Sequence, residues 1–190
     1  MRKKLKEQTG AISIFTIMVL VVLLPLAFWV GIELPKMHEA NQRVKDAVDS
    51  ASSSSVTIID ESEFADGKIL LNENEIEYVA KEIFGQKMGI TYQRDTNKFD
   101  IPPGSSVNED TEVQVEVEVV DDDKLLVDGV RGDVDVKSQI EMDEAKQWRT
   151  TINYPTVVVE TKITFKKIGF FGKDMTVTQV GMSKVRLSQP

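Results

Sequence analysis

The stretch AISIFTIMVLVVLLPLAFWVGI, residues 11 to 32, carries no charged side chain, and the chain keeps a helical pattern beyond it to about Ser55. As one α-helix, at about 1.5 Å per residue, the apolar part is about 33 Å long, against roughly 30 Å of hydrocarbon in a bilayer. A membrane span is therefore expected. Pro25 lies inside it and Pro35 just past it. In lipid a proline bends a helix without necessarily ending it, because neighbouring groups re-satisfy the freed carbonyl, so a bent, continuous helix is expected. The competing reading is a cleaved secretory signal. It is disfavoured by the length of the apolar run and by the lack of a small-x-small cleavage site from Gly31 to Met37.

On the amino-terminal side, Arg2, Lys3, Lys4 and Lys6 against Glu7 give +3, and basic residues beside a first span hold that flank in the cytoplasm. The remainder carries −11 of the overall −8. The expected organisation is a cytoplasmic basic leader at 1–10, a transmembrane helix at 11–32, an amphipathic helix extension at 33–60 and an extracytoplasmic α+β domain at 61–190. So acidic a domain is a poor partner for nucleic acid, whose phosphates need a basic face. The absence of cysteine excludes disulfides, thiolate metal sites and cysteine nucleophiles, and leaves the redox compartment open.

On the carboxyl side of the span, Met37, Ala40, Val44, Ala47, Val48 and Ala51 recur at spacings of three and four, one face of a helix. Ala40, Ala47 and Ala51 allow close approach of another element, either the protein's own sheet or a partner helix. Ser52 to Ser55 is weak helix-forming sequence, so the helix either frays there or continues to about Asp60. A second amphipathic helix is expected from about Asn74 as its cap, ending at Gly85 or Gly89. Residues 93–111, rich in Asp, Asn, Pro, Gly and Ser, read as a long surface connection.

The period then changes to two. Val113, Val115, Val117 and Val119 alternate with Gln114, Glu116 and Glu118, a strand with one wet face. Short strands are expected at Lys124 to Val127 and Val134 to Val136, and a helical turn or loop at Met142 to Arg149. A long strand is expected at Thr156 to Lys167, with Val157, Val159, Thr161, Ile163 and Phe165 on one face and Val158, Glu160, Lys162, Thr164 and Lys166 on the other. Gly169 to Lys173 reverses the chain into a pairing run from Met175 to Leu187, with Phe170 and Phe171 exposed at the tip. The fold class is α+β: a long helix whose carboxyl half covers an antiparallel sheet.

Chemistry is sparse. His38 is the only histidine and has neither a second histidine for a metal nor a serine to activate, so a solvated interfacial role is expected. Acidic pairs for hydrolysis are too many to single one out. Asp121, Asp122, Asp123, Asp128, Asp133 and Asp135 offer oxygen ligands for Ca²⁺ but lack the EF-hand order, and a solvated acidic loop is expected instead. Arg131, Gly132 and Asp133 spell an integrin-type tripeptide, too short to carry weight. No catalytic residue, cofactor or metal is expected.

The basic leader ending in Gly10, the apolar helix, and the run Val44, Lys45, Asp46, Ala47, Val48, Asp49, Ser50, Ala51 together resemble the start of TadE/TadG-like proteins of Tad (Flp) pilus assembly, relatives of pilins and pseudopilins. These carry a leucine-x-x-alanine-x-aspartate-x-alanine type of run past the span, matched here by Val44, Ala47, Asp49 and Ala51. The resemblance covers about the first fifty-five residues. In pilins processed by a prepilin peptidase the bond after the leader glycine is cut, which here would free Ala11. Phe15 stands where those proteins usually have glutamate, and that favours an anchored assembly component over a filament subunit. The resemblance implies a non-enzymatic, single-pass, pilin-like envelope protein. Its partners would be the membrane, other pilus-assembly proteins or a second copy, with Met37, Ala40, Val44, Ala47 and Ala51 as its helix-packing residues. A membrane-tethered binding module or adhesin, for which the helix is a plain tether, is the alternative.

Overall fold

A computed structural model of the chain describes residues 2–57, 71–127, 130–140, 147–169 and 172–185. Its longest element is α1, Arg2–Ser55, 54 residues of helix that run without a break through Pro25 and Pro35. From Ile14 onward the helix is long and apolar enough to cross a membrane, and its most apolar window has a mean hydropathy of 2.6 with no part buried in the protein. Phe15, at 70 % exposure, and Leu24, at 62 %, are typical of this bare section. Such a surface is stable only when lipid or another protein covers it.

The same helix becomes a core element from Ala40 onward. Ala40, Val44, Ala47, Val48 and Ala51 are buried, and Met37 is half-buried at the edge of the seam. The helix stops at Ser55, short of the expected limit of Asp60, and residues 58–60 lie outside the described part. Hydroxyl groups compete with the backbone here: Ser55 Oγ donates to Ala51 O at 2.6 Å, Ser52 Oγ to Asp49 O at 3.1 Å, and Thr57 Oγ1 to Ser54 O at 2.7 Å.

The second helix, α2, spans Glu73–Met88. Its cap is Asn72, two residues before the expected Asn74, because the Asn72 side chain accepts from Glu75 N. Gly85 stays inside the helix, where a Cβ would meet Ile90 O at 2.8 Å, and Gly89 ends it in the left-handed conformation at φ 71°. Arg43 Nη2 reaches Met88 O at 3.1 Å, so α1 itself caps the end of α2.

The stretch 93–111 is not one long connection. Strands β1, Thr91–Gln93, and β2, Lys98–Asp100, form a small hairpin. Its aromatic residues supply the reason, since Tyr92 and Phe99 lie 5.2 Å apart and Phe99 stands edge-on to buried Phe84 of α2. Asn97 takes the positive φ of 53° that the turn needs.

Strand β3, Gln114–Val120, leads into a one-turn helix, α3, at Asp122–Leu125. A strand was expected from Lys124, but Asp121 caps a helical turn by accepting from Lys124 N, and the pairing starts only at β4, Leu126–Val127, with β5, Val130–Arg131. Strand β6, Val134–Lys137, pairs with β7, Arg149–Ile152. Residues 141–146 of the expected turn lie outside the described part, as do Phe170, Phe171 and Asp128.

The central sheet has the order β3-β8-β9, all antiparallel, with β8 at Thr156–Gly169 and β9 at Lys173–Lys184. Val157, Val159, Thr161, Ile163 and Phe165 face α1 and are buried. On the opposite face Val158 and Glu160 are buried too. Strands β4–β7 fold over it and enclose a second apolar cluster of Val120, Leu125, Val136, Ile152 and Val158.

Helix α1 crosses the first face so closely that Gly181 is required. A Cβ at that position would lie 2.8 Å from Val48 Cγ1 and 2.9 Å from Asp49 Oδ1. Lys45 also reaches Val180 O, and Ser52 and Ser53 both meet Ser183, so α1 and β9 run in the same direction. Gly181→Ala is expected to destabilise the domain by about 1–3 kcal/mol through overpacking. Urea unfolding of the detergent-solubilised chain measures this, and a change under about 0.5 kcal/mol, the scale of an indifferent surface change, would show the approach to be looser than described.

Candidate functional site

The candidate site is the surface of α1, because it is the element that presents a large bare apolar area and also anchors the core. The Gly10–Ala11 bond lies within the helical backbone of α1. Of the packing residues, Ala40, Val44, Ala47 and Ala51 are committed to the protein's own sheet and α2, and this occupies the small-residue seam internally. Neighbouring α1 residues that remain open are Gln42, Asp46, Ser53 and Ser54.

At the foot of the α1–α2 contact is an open hollow of about 580 Å³, lined by Pro35, His38, Glu39, Gln42, Arg43, Asp46, Ala47 and Lys87. Charges of both signs alternate around it, and Arg43 is already engaged with Met88 O. His38 is exposed at its rim. The arrangement holds no nucleophile beside a base, and among the described residues no group of three or more His, Asp or Glu side chains comes together to hold a cation.

The acidic turn is built into the structure. Asp121 caps α3, while Asp122 is 2 % exposed and accepts from Arg131 Nη2 at 2.6 Å. Asp135 accepts from Thr151 Oγ1 at 2.9 Å, and Asp133 is exposed. In the tripeptide Arg131–Asp133 the arginine is thus already paired, and it also lies over the Tyr154 ring at 5.8 Å. Lys124 ties the turn to its surroundings through Val119 O at 2.6 Å, Glu73 Oε1 at 2.9 Å and Glu118 Oε1 at 3.9 Å. Partial burial pulls its pKa down, but the hydrogen bond to Glu73 and the charges of Glu73, Glu118 and Asp121 outweigh this and raise it above 10.5.

Two buried ionisable groups had little signal in the sequence pattern. Glu160, on the same face as Val158 by simple alternation, is 2 % exposed and accepts from four neutral donors. These are Ser138 Oγ at 2.5 Å, Trp148 Nε1 at 3.0 Å, Gln139 N at 2.9 Å and Ile140 N at 3.3 Å. It pins the 138–148 connection to the sheet. Lys81, on the sheet-facing side of α2, bonds Glu77 Oε1 at 2.5 Å and Asn97 Oδ1 at 2.8 Å, which fixes the β1–β2 hairpin. A charged residue inside the valine-rich run Val157 to Thr161 is the one local hint for Glu160, whereas its donors are 12 to 22 residues away. Glu160 thus accepts four hydrogen bonds and Lys81 donates two, and both groups are engaged by structural partners.

Comparison with protein-family models, with curated proteins and with solved structures found no match to this chain.

Glu160→Ala is expected to cost about 1–3 kcal/mol, because it strands buried donors that had a partner. Denaturant unfolding followed by Trp148 fluorescence reads this, and an unchanged midpoint would remove the anchoring role. For Lys124 the folded-state pKa is raised, so its contribution is complete below pH 10.5 and is lost as pH rises through the folded value. The difference in melting temperature between wild type and Lys124→Met should therefore shrink above that pH. A difference that stayed constant or grew would contradict the assignment.

Proposed function

We propose that this chain is a non-enzymatic, single-pass envelope protein, a pilin-like component of a Tad (Flp)-type pilus or secretion assembly. The observation that carries the reading is the continuity of α1: one helix is a bare apolar rod from Ile14 to Leu26 and a central core element from Ala40 onward. Anchor and domain share that helix with no linker between them, so a force or displacement applied to the span is passed to the domain. A plain tether has no need of such a joint, which makes this architecture a better fit to an assembly component than to a tethered adhesin.

In this reading the basic leader lies in the cytoplasm, the span sits in the membrane among partner helices, and the acidic α+β domain is extracytoplasmic. The buried position of Ala47 and Ala51 moves the partner-facing role to the exposed apolar residues of the span, Phe15 among them. The absence of a carboxylate at position 15 leaves the span without the ion pair used in regular filaments, and this supports a component that stays anchored.

Replacing residues 11–32 by an unrelated leucine–alanine helix of equal length leaves the folded domain and its anchoring intact. The pilin-like reading predicts that the envelope complex recovered with the wild-type chain is lost in the exchanged one. If the complex forms equally well with the exchanged span, the helix is only a tether and the binding-module reading takes its place.

A further inference from the structure

The two edges of the central sheet are treated differently. On the β3 edge, Glu116 and Glu118 place charges along the strand, Lys124 covers Val119 O, and the β1–β2 hairpin with Lys81 and Phe99 lines one hollow with residues 112–116. These are the usual defences of an exposed strand. Strand β9 has almost none: from Met175 to Ser183 it carries nine residues with no charge and no proline.

Its backbone orientation follows from the register. Val185 N donates to Pro155 O at 3.0 Å, and the pairing of β8 with β9 is regular from Thr156↔Lys184 to Phe165↔Met175. The odd-numbered residues of β9 therefore bond to β8, and Thr176, Thr178, Val180 and Met182 direct N–H and C=O to the open side. Among the described residues no strand pairs there, and of these outward groups Val180 O accepts from Lys45 Nζ at 3.2 Å.

We propose that the outer edge of β9 is a strand-acceptor site that takes an extended segment from a different polypeptide, uncharged in its middle and carboxylate-bearing at its ends. Backbone pairing fixes the class of occupant, an extended chain of about nine residues spanning roughly 30 Å. Charge selects the ends. Lys173 and Lys184 flank the uncharged run, while the Asp174 carboxylate is held by Asn108 Nδ2 at 2.7 Å and Lys167 N at 3.0 Å. Geometry disfavours a second copy. Two identical edges pair antiparallel about an axis normal to the sheet, and because α1 runs alongside β9 that operation points the two apolar helices in opposite directions. Two copies inserted the same way in one membrane cannot meet so. The site does not depend on the pilus reading, since any partner with such a segment would suit it.

The test uses the full chain in detergent micelles and two labelled synthetic peptides of about eleven residues, alternating valine and threonine, one ended by glutamate and one by lysine. Each is N-methylated along one edge to prevent self-assembly. Fluorescence anisotropy should show the glutamate-ended peptide binding at least about tenfold tighter than the lysine-ended one. Thr178→Pro removes an outward N–H without breaking a bond to β8, and should weaken binding about tenfold with the melting temperature little changed. The double variant Lys173→Glu with Lys184→Glu, which leaves the backbone alone, should reverse the preference. No binding of the glutamate-ended peptide by the wild type, equal binding of both peptides, or unaltered binding by folded Thr178→Pro would overturn the proposal. A wild-type dimer in the micelle that Thr178→Pro dissociates would also overturn it, by making a second copy the occupant.

Discussion

At Gly181 the backbone of β9 comes within van der Waals reach of Val48 and Asp49 on α1, and this seat governs the rest of the molecule. A helix lies so near a sheet only where one side supplies no side chain and the other supplies small ones. Gly181 meets the first condition opposite Val48 and Asp49, and buried Ala47 and Ala51 to either side of that pair supply the small residues of the helix. Once α1 is seated, Val44 and Val48 fill the layer beneath it with Val157, Val159 and Ile163, and Arg43 is placed to cap α2. Each buried aliphatic side chain contributes on the order of 1.5–3 kcal/mol. The helix is thus fixed by many moderate contacts along its length and by no single strong one.

That seat also joins two solvents. Between Ala11 and Ile32 α1 carries no charged residue, as a lipid-facing helix requires, and its carboxyl half is amphipathic, as a core helix requires. The change occurs around Glu33 to Met37, where charges return to the sequence. A single cooperative helix across the boundary couples the orientation of its apolar section to the orientation of the domain. A flexible connection of Gly and Ser would have separated them.

The buried ionic groups follow a common rule. Glu160 and Lys81 both sit away from water, and each is matched by donors or acceptors from a distant part of the chain. An unpaired charge in such a place would cost several kcal/mol, so satisfaction of its valences is a condition of the fold. For Glu160 this takes the form of four hydrogen bonds accepted from residues 138–140 and 148.

An unbroken charge-free run determined the long apolar helix, and periodicity determined the seam from Ala40 to Ala51, the hairpin of β8 with β9 and the α+β class, because those features are local repeats of 3.6 or 2 residues with strong apolar contrast. The short elements escaped it. The β1–β2 hairpin depends on Phe99 meeting Phe84, the α3 turn on one capping aspartate, and the burial of the second sheet face on strands β4–β7 folding across Val158 and Glu160. For the candidate site, the packing residues were legible as a face, but whether that face served the protein's own sheet or a partner was not. Only the tertiary structure decided that it is used internally, and that among the described residues no strand pairs with the outer edge of β9. The reason is physical: a pattern of side chains states which surface must be buried, while the choice of what buries it depends on the competing surfaces the whole chain brings into reach.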